Sequence, residues 1–410
     1  MTELLDLIAR WIHVIAGSMW VGNSMLFNFL DRNLRKRAEP DSYGDIWLLH
    51  SGGFYLMEKN KGERTASGGL QLPTPLHWFK WQAYTTWITG ALLLVVVYYV
   101  GGRALLEDST VKDLSHNTAI AMALGKLVAV WLIYELLFRT LGERWPRLAA
   151  ALGLLILVDA VVFYVDHFSG RAAFVHIGAM LGTIMAGNVA FTIMPSQREL
   201  VAALSEGREP SQTIADRAKT RSIHNNYITF PVLALMVSAH FPSLYSNAGS
   251  ASLVLILIAG GALVRHFMNI RFTNPRWKFG LTVSGGATLA VLAFAMVGGP
   301  TPTPHPFGGT FLGADSASMQ TPDIVTFADA RRIIDRRCTA CHSLTPSDVS
   351  LGRTPIGVSF DTPQQITAMV ARIKERAIVQ RSMPPGNTTM MTDAERAILG
   401  RWIEAGAKTP

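Results

Sequence analysis

Apolar stretches long enough to cross a hydrocarbon core (roughly 18 or more residues) recur along the first three quarters of the chain. They lie at residues 5–30, 78–101, 118–140, 148–167, 172–195, 225–247, 251–270 and 279–298. The pattern predicts an all-α, polytopic membrane helical bundle of eight spans over residues 1–298. The first stretch has no small-residue cleavage site and runs straight into a basic loop, so it reads as a span and not as a signal peptide. The pattern then breaks. Residues 299–322, opening Gly299-Pro300-Thr301-Pro302-Thr303-Pro304, are rich in Pro, Gly, Thr and Ser and read as a semi-stiff linker. Beyond it, residues 323–410 alternate charge with apolar positions at helical spacing and predict a small, separate helical domain. One helix is expected from about Pro363 to Gln380, and a capped amphipathic one from Thr392 through Trp402 and Ile403.

Composition agrees with a membrane protein: 16% of the residues are charged and 49% hydrophobic. The basic residues are unevenly placed. The connections 31–77, 139–147, 196–222 and 271–278 hold 18 Lys and Arg, against 3 in the alternate set. The positive-inside rule puts the first set in the cytoplasm, and both chain termini and the C-terminal domain outside it. The net charge of +8 thus reflects topology. No nucleic-acid motif accompanies it.

Candidate chemistry begins with the two cysteines, both in Cys338-Thr339-Ala340-Cys341-His342. A C-x-x-C-H run is the attachment motif of a covalent haem c, with two thioethers to the porphyrin and the histidine on the iron. A zinc knuckle would need a second ligand pair, which a chain with two cysteines lacks. For the sixth iron ligand, Met383 sits in Arg381-Ser382-Met383-Pro384-Pro385-Gly386-Asn387, where two prolines stiffen the loop. Met369, Met390 and Met391 compete, but Met369 reads as the apolar face of a helix. Two helices around such a motif resemble a class I-like cytochrome c domain over residues 323–410.

Within the bundle the histidines carry a faint repeat. His13 precedes Gly22-Asn23 in the first span, and His176 precedes Gly187-Asn188 in the fifth. His77 followed by Tyr84 opens the second span, and His224 followed by Tyr227 opens the sixth. A four-plus-four tandem repeat would place His13 and His176 at one depth near the outer side, and His77 and His224 at one depth near the inner side. Opposed histidines can hold a b-type haem or another metal in a bundle. Ordinary hydrogen bonding to neighbouring helices is the competing reading, and His266 or His240 could substitute in either pair. His50, His116, His167 and His305 fall in loops or at span ends and read as solvated.

Four other charges lie inside spans: Lys126, Glu135, Asp159 and Arg265. They are candidates for a polar cavity or for pairing across helices. Arg217, Lys219 and Arg221 read most simply as topology determinants. The long connection 31–76 has an apolar, aromatic middle from Ile46 to Tyr55, expected to pack on the membrane domain or to anchor at its interface.

Taken together, Arg10-Trp11-Ile12-His13 through Trp20-Val21-Gly22-Asn23-Ser24-Met25, the aromatic loop, the spans and the terminal haem motif resemble the bacterial membrane-bound urate oxidases (urate hydroxylases) with a fused C-terminal cytochrome c domain. The resemblance covers essentially the whole chain. It implies an inner-membrane oxidoreductase that oxidises urate to 5-hydroxyisourate with water as the oxygen source. Electrons would pass to haem c and on to a soluble cytochrome c or a terminal oxidase, with no hydrogen peroxide formed. A planar purine anion needs a cation, amide donors and an aromatic surface, which points to His77, His224, Asn225, Asn226, Tyr227, Arg265 and His266 on the inner side. Two other readings stay open: another small-molecule or quinol dehydrogenase feeding cytochrome c, and a non-catalytic electron-transfer subunit.

Overall fold

The computed structural model describes the chain except Met1 and residues 40–41, 65–69, 73–74, 101–102, 109–110, 113, 246–248, 299–324, 345–357, 385–386, 388 and 410. The expected linker at 299–322 lies outside the described residues.

The membrane part opens with α1 (Thr2–Asn33), followed by strands β1 (Ser42–His50) and β2 (Gly53–Asn60) and by a minor pair, β3 (Glu63–Arg64) and β4 (Leu70–Gln71). Next come α2 (Trp81–Leu94), prolonged by a π-helical segment (Val95–Val100), and the short α3 (Arg103–Leu106). The bundle continues with α4 (His116–Arg144), α5 (Pro146–His167) and α6 (Gly170–Asn188), which runs through a π-helical turn (Val189–Ile193) into α7 (Met194–Ser205). It closes with α8 (Gln212–Ser238), α9 (Pro242–Tyr245), α10 (Ser250–Ile270) and α11 (Trp277–Gly298).

Among the described residues, seven helices are long and apolar enough to cross a membrane: Leu4–Asn33, Trp81–Val100, His116–Arg144, Pro146–His167, Gly170–Ser205, Ser250–Ile270 and Trp277–Ala295. The remaining long helix, α8, falls short of that apolarity because its first half carries Arg217, Lys219, Arg221, His224, Asn225 and Asn226. It nevertheless packs against α6 and α10. Its apolar half alone had marked the expected span at 225–247, so the helix begins thirteen residues earlier, at Gln212.

Helix α6 is central. Its membrane-length window is 67% buried, against 28% or less for the other six. Ala172, Ala173, Phe174, Ile177 and Met180 pack against Ala119 and Ala123 of α4, Ala160, Val161 and Tyr164 of α5, and Leu235 of α8. Small residues at these contacts let the backbones approach, which supplies van der Waals contact where lipid tails are as apolar as the side chains. Gly187 is the sharpest case, since a Cβ there would run into the indole Nε1 of Trp131 on α4. The outer faces keep large apolar residues uncovered, among them Leu136, Leu155, Leu289 and Phe294, as a lipid-facing surface requires.

Two expectations are corrected here. The fold is not purely α-helical, because Ile46–Tyr55 belongs to the antiparallel β1–β2 hairpin, in which Trp47 faces Leu56 and Leu49 faces Phe54. Nor does that hairpin pack down on the helices. Trp47, Leu49, Phe54 and Tyr55 are exposed, and among the described residues the ties are at its base: Arg35 and Arg37 bind the buried Asp45, and Lys59 bonds to Asp31 at 2.7 Å. The alternation places apolar residues on both strand faces, so burying one face would leave the other uncovered.

The C-terminal region consists of α12 (Phe327–Arg337), α13 (Pro363–Ala368), α14 (Val370–Ile373), a π-helical turn (Lys374–Val379) and α15 (Asp393–Glu404) around Ile334, Ile366, Leu399 and Trp402. Capping boxes start three of these helices, Thr326 with Asp329, Thr362 with Gln365 and Thr392 with Glu395. The single helix expected from Pro363 to Gln380 is interrupted at Met369, whose backbone (φ −111°, ψ 6°) leaves the helical region while its side chain packs on this core.

Candidate functional site

Four consecutive polar residues on α8 organise the bundle. Successive side chains on a helix point about 100° apart, so His224, Asn225, Asn226 and Tyr227 reach different neighbours. On one side, Asn188 of α6 donates to Asn225 Oδ1 (2.8 Å) and to the Tyr134 hydroxyl oxygen (3.0 Å), and Asn225 donates to the Met185 carbonyl (3.0 Å). Tyr134 lies 2.8 Å from His224 Nδ1. Because Nδ2 of Asn188 can only donate, the Tyr134 oxygen accepts from it and its own proton is free for His224. One turn away, the almost fully buried Arg221 donates to Glu135 Oε2 at 2.9 Å and lies over the ring of Tyr134, 4.7 Å from its centroid. Arg221 is thus a buried partner of Glu135 and not simply a topology determinant, whereas Arg217, paired with Glu143, and the exposed Lys219 keep that reading. Lys126 and Asp159 pair directly at 2.5 Å across α4 and α5, so pairing across helices is what these charges do.

The opposite side of α8 meets α10. Asn226 Oδ1 accepts from Arg265 Nε (3.1 Å) and from Asn269 Nδ2 (2.6 Å). The Tyr227 hydroxyl lies 2.8 Å from His266 Nδ1, with the two rings stacked at 28°. Arg265 is buried and lies over Phe230, and no carboxylate stands within ion-pair distance of it among the described residues. It lines a small open cleft between Met25 and Asn28 of α1 and Met268, Asn269 and Arg271 at the end of α10. Asn269 Oδ1 is buried and unpartnered. An unneutralised guanidinium, an idle amide oxygen and apolar thioethers make a place for a small anion that also donates hydrogen bonds.

Of the residues expected on the inner side, Arg265 lies in the cleft wall, Asn226 holds it, and Tyr227 pairs with His266 outside the cleft lining. His224 and Asn225 face α4 and α6 instead. His77 packs edge-on against Phe79, at 4.7 Å, and no hydrogen bond or ring contact joins it to His224 among the described residues. Asn269 escaped the sequence reading, although its i+4 spacing from Arg265 places both on one helix face. Tyr134 left no signal beyond standing next to Glu135.

The outer histidines do not share a depth. His13 Nδ1 contacts the Thr86 carbonyl (2.9 Å) and Thr89 Oγ1 (3.1 Å) on α2. His176 Nδ1 donates to the Ala172 carbonyl (2.8 Å), and its Nε2 meets the Tyr99 hydroxyl (2.9 Å) amid Tyr98, Tyr164 and Phe168. Thr89 and Tyr99 are ten residues apart on one continuous helical run, about 15 Å along its axis. Both ring nitrogens of His176 are engaged, so this pair does not fit a haem held between the two histidines. His116 is also not solvated, since it binds Glu107 (2.5 Å) and the Tyr99 carbonyl (2.9 Å).

In the C-terminal domain, Cys338 and Cys341 are half-buried, follow the end of α12 and are not in a disulfide. His342 Nδ1 donates to the Val358 carbonyl at 2.9 Å, which fixes the tautomer and leaves Nε2 as the electron-pair donor. Met383 packs against the domain core. This donor set fits a covalent haem with His342 and Met383 as axial ligands. Among the described residues no group of three or more His, Cys, Asp or Glu side chains comes together, in this domain or in the bundle.

Neither a curated protein nor a solved structure gives a match to this chain. A family model does: the one described as "Urate oxidase N-terminal" matches residues 1–297, the entire helical bundle with its α8 networks and cleft, and the chain belongs to that family.

Proposed function

We propose that this protein is a bacterial inner-membrane urate oxidase that adds a water-derived hydroxyl to urate and sends the electrons to a c-type haem in its own C-terminal domain. The reaction balances as urate plus water giving 5-hydroxyisourate, two protons and two electrons. Dioxygen is not consumed and hydrogen peroxide is not formed. The observation that carries the reading is the buried, unneutralised Arg265 beside Asn269 in the α1–α10 cleft, within a bundle of the urate oxidase family.

Each residue there has work that suits a purine anion. Arg265, its Nε already held by Asn226, directs its remaining N–H groups at the anionic edge of the ring. Asn269 Oδ1 accepts a ring N–H that would otherwise enter the cleft unpaired. Met25 and Met268 cover the flat faces, which soft thioethers do well. The hydrogen-bonded Tyr227–His266 pair, one residue along its helices from Asn226 and Arg265, is the candidate proton acceptor, through the second histidine nitrogen.

A haem attached at Cys338 and Cys341, held by His342 and Met383, would accept one electron at a time at a relatively high potential, so that each urate oxidised would reduce it twice. Electrons would then leave to a soluble cytochrome c or a terminal oxidase on the periplasmic side, the side that the positive-inside rule favours for both termini. The test is anaerobic addition of urate to the purified, oxidised full-length protein. Reduction of the haem c with release of 5-hydroxyisourate is expected. A c-haem that stays oxidised would remove urate as the substrate.

A further inference from the structure

The C-terminal domain holds a buried arginine that the haem motif does not use. Arg396 lies on α15, is 6% exposed, and is next to Glu395. Its guanidinium donates to the Met383 carbonyl at 2.9 Å, to the Ala377 carbonyl, and to Asn387 Oδ1 at 3.3 Å. Asn387 in turn accepts from the Met391 N–H at 3.0 Å and donates to the Met391 carbonyl at 3.2 Å. The Met383 N–H donates to the Arg376 carbonyl at 3.1 Å. Both backbone groups of Met383 are therefore fixed, one by the helix before it and one by Arg396.

The neighbouring residue performs the matching task on the other side. Glu395 accepts from Arg337, the residue immediately before Cys338, at 3.0 Å. Arg337 also donates to the Thr389 carbonyl, while the Thr389 hydroxyl donates to the Arg337 carbonyl at 2.9 Å. Two adjacent residues of one capped helix thus hold the segment bearing Cys338, Cys341 and His342 and the loop bearing Met383.

We infer that Arg396 is the positioning residue for the sixth iron ligand: by gripping the Met383 carbonyl it holds the thioether against the haem iron and so keeps the potential high. The inference rests on the haem reading given above. Arg396 bonds to the backbone of Met383 and does not touch the reacting atoms, so a conservative replacement that keeps a donor has a defined partial effect.

The experiment compares the full-length protein with its Arg396→Gln and Arg396→Lys variants in detergent. The readouts are the pyridine haemochrome, the long-wavelength charge-transfer band of methionine-ligated ferric haem, the midpoint potential, and the affinity of the ferric iron for added imidazole. Arg396→Gln is expected to keep the covalent haem, to lose most of the charge-transfer band, to lower the potential, and to bind imidazole about tenfold or more tightly, the equivalent of one charged hydrogen bond. Arg396→Lys is expected to fall between. Should Arg396→Gln fail to accumulate, Asn387→Ala, which removes one acceptor of the grip, is expected to shift the same readouts in the same direction. Unchanged band, potential and imidazole affinity in variants that retain haem would overturn the inference. A native protein that has haem c but no methionine band would overturn the assignment of Met383 and the inference with it, and one with no haem c would overturn the haem reading itself.

Discussion

The arginines of the bundle differ in what neutralises them, and the difference decides how each responds to substitution. Arg265 has an amide and an aromatic face for company, so Arg265→Gln breaks no ion pair. Its expected effect is a rise of about tenfold or more in KM for urate, from one lost charged hydrogen bond, with little loss of stability. Arg221→Gln instead takes the buried guanidinium away from the half-buried Glu135, leaving it only the exposed Arg139 at 3.4 Å, and is expected to destabilise the fold by about 1–3 kcal/mol. Steady-state turnover and thermal unfolding in detergent separate the two outcomes. Acid should act on the other domain. The Asp361 carboxyl accepts from the Ser343 hydroxyl and the Leu344 N–H and is held below its ordinary value. Asp329 is lowered likewise by the Thr326 hydroxyl and N–H. Burial alone would raise Glu395, but the Thr392 N–H and the Arg337 guanidinium outweigh it. A carboxyl that is lowered on folding contributes stability above its unfolded value and loses it as pH falls through the folded one. The C-terminal domain is expected to hold its melting temperature at neutral pH and to lose it steadily below the ordinary carboxyl values of 3.8 to 4.5. Melting followed at the haem band would check this, and a flat profile would contradict it.

Among the elements, α6 and α4 depend on a missing side chain. Gly187→Ala would push a methyl into Trp131, separating Asn188 from Tyr134 and His224. Overpacking of this kind is expected to cost about 1–3 kcal/mol, visible as a lower melting temperature in detergent; an unchanged one would show that the indole simply swings aside. Elements of this sort mark the border of what a sequence reveals. The long apolar runs announced themselves because a span must be apolar over its full length. Helix α8 was half hidden for the opposite reason, since its amides and charges are buried by partners on α4, α6 and α10 that no local pattern displays. The histidine repeat showed spacing but not rotation about the helix axes, and His13 and His176 consequently reach different levels of the helix that begins with α2. The hairpin at Ile46–Tyr55 read as generic apolar sequence because both of its faces are apolar, which removes the alternation that identifies a strand.

At the scale of the whole molecule, the loop charges and the position of the cleft make one claim together. Arg265, Asn269 and Arg271 stand at the end of α10 that leads into the basic connection 271–278, on the side assigned to the cytoplasm. Urate is therefore expected to reduce the haem fast when supplied to the face bearing that connection, and slowly from the other. Reconstituted vesicles of defined orientation, loaded on one side only, would measure this; equal rates from both sides would refute it. Helix α8 carries a further consequence for how such a chain can diverge. With three neighbours served by four successive residues, one inserted or deleted residue between Arg221 and Thr229 would rotate every later side chain by about 100° and hand each to the wrong neighbour. Replacements there can be repaired one at a time, but changes in length cannot, so lineages of this protein are expected to vary the turn at residues 206–211 freely while keeping that stretch of α8 to a fixed count.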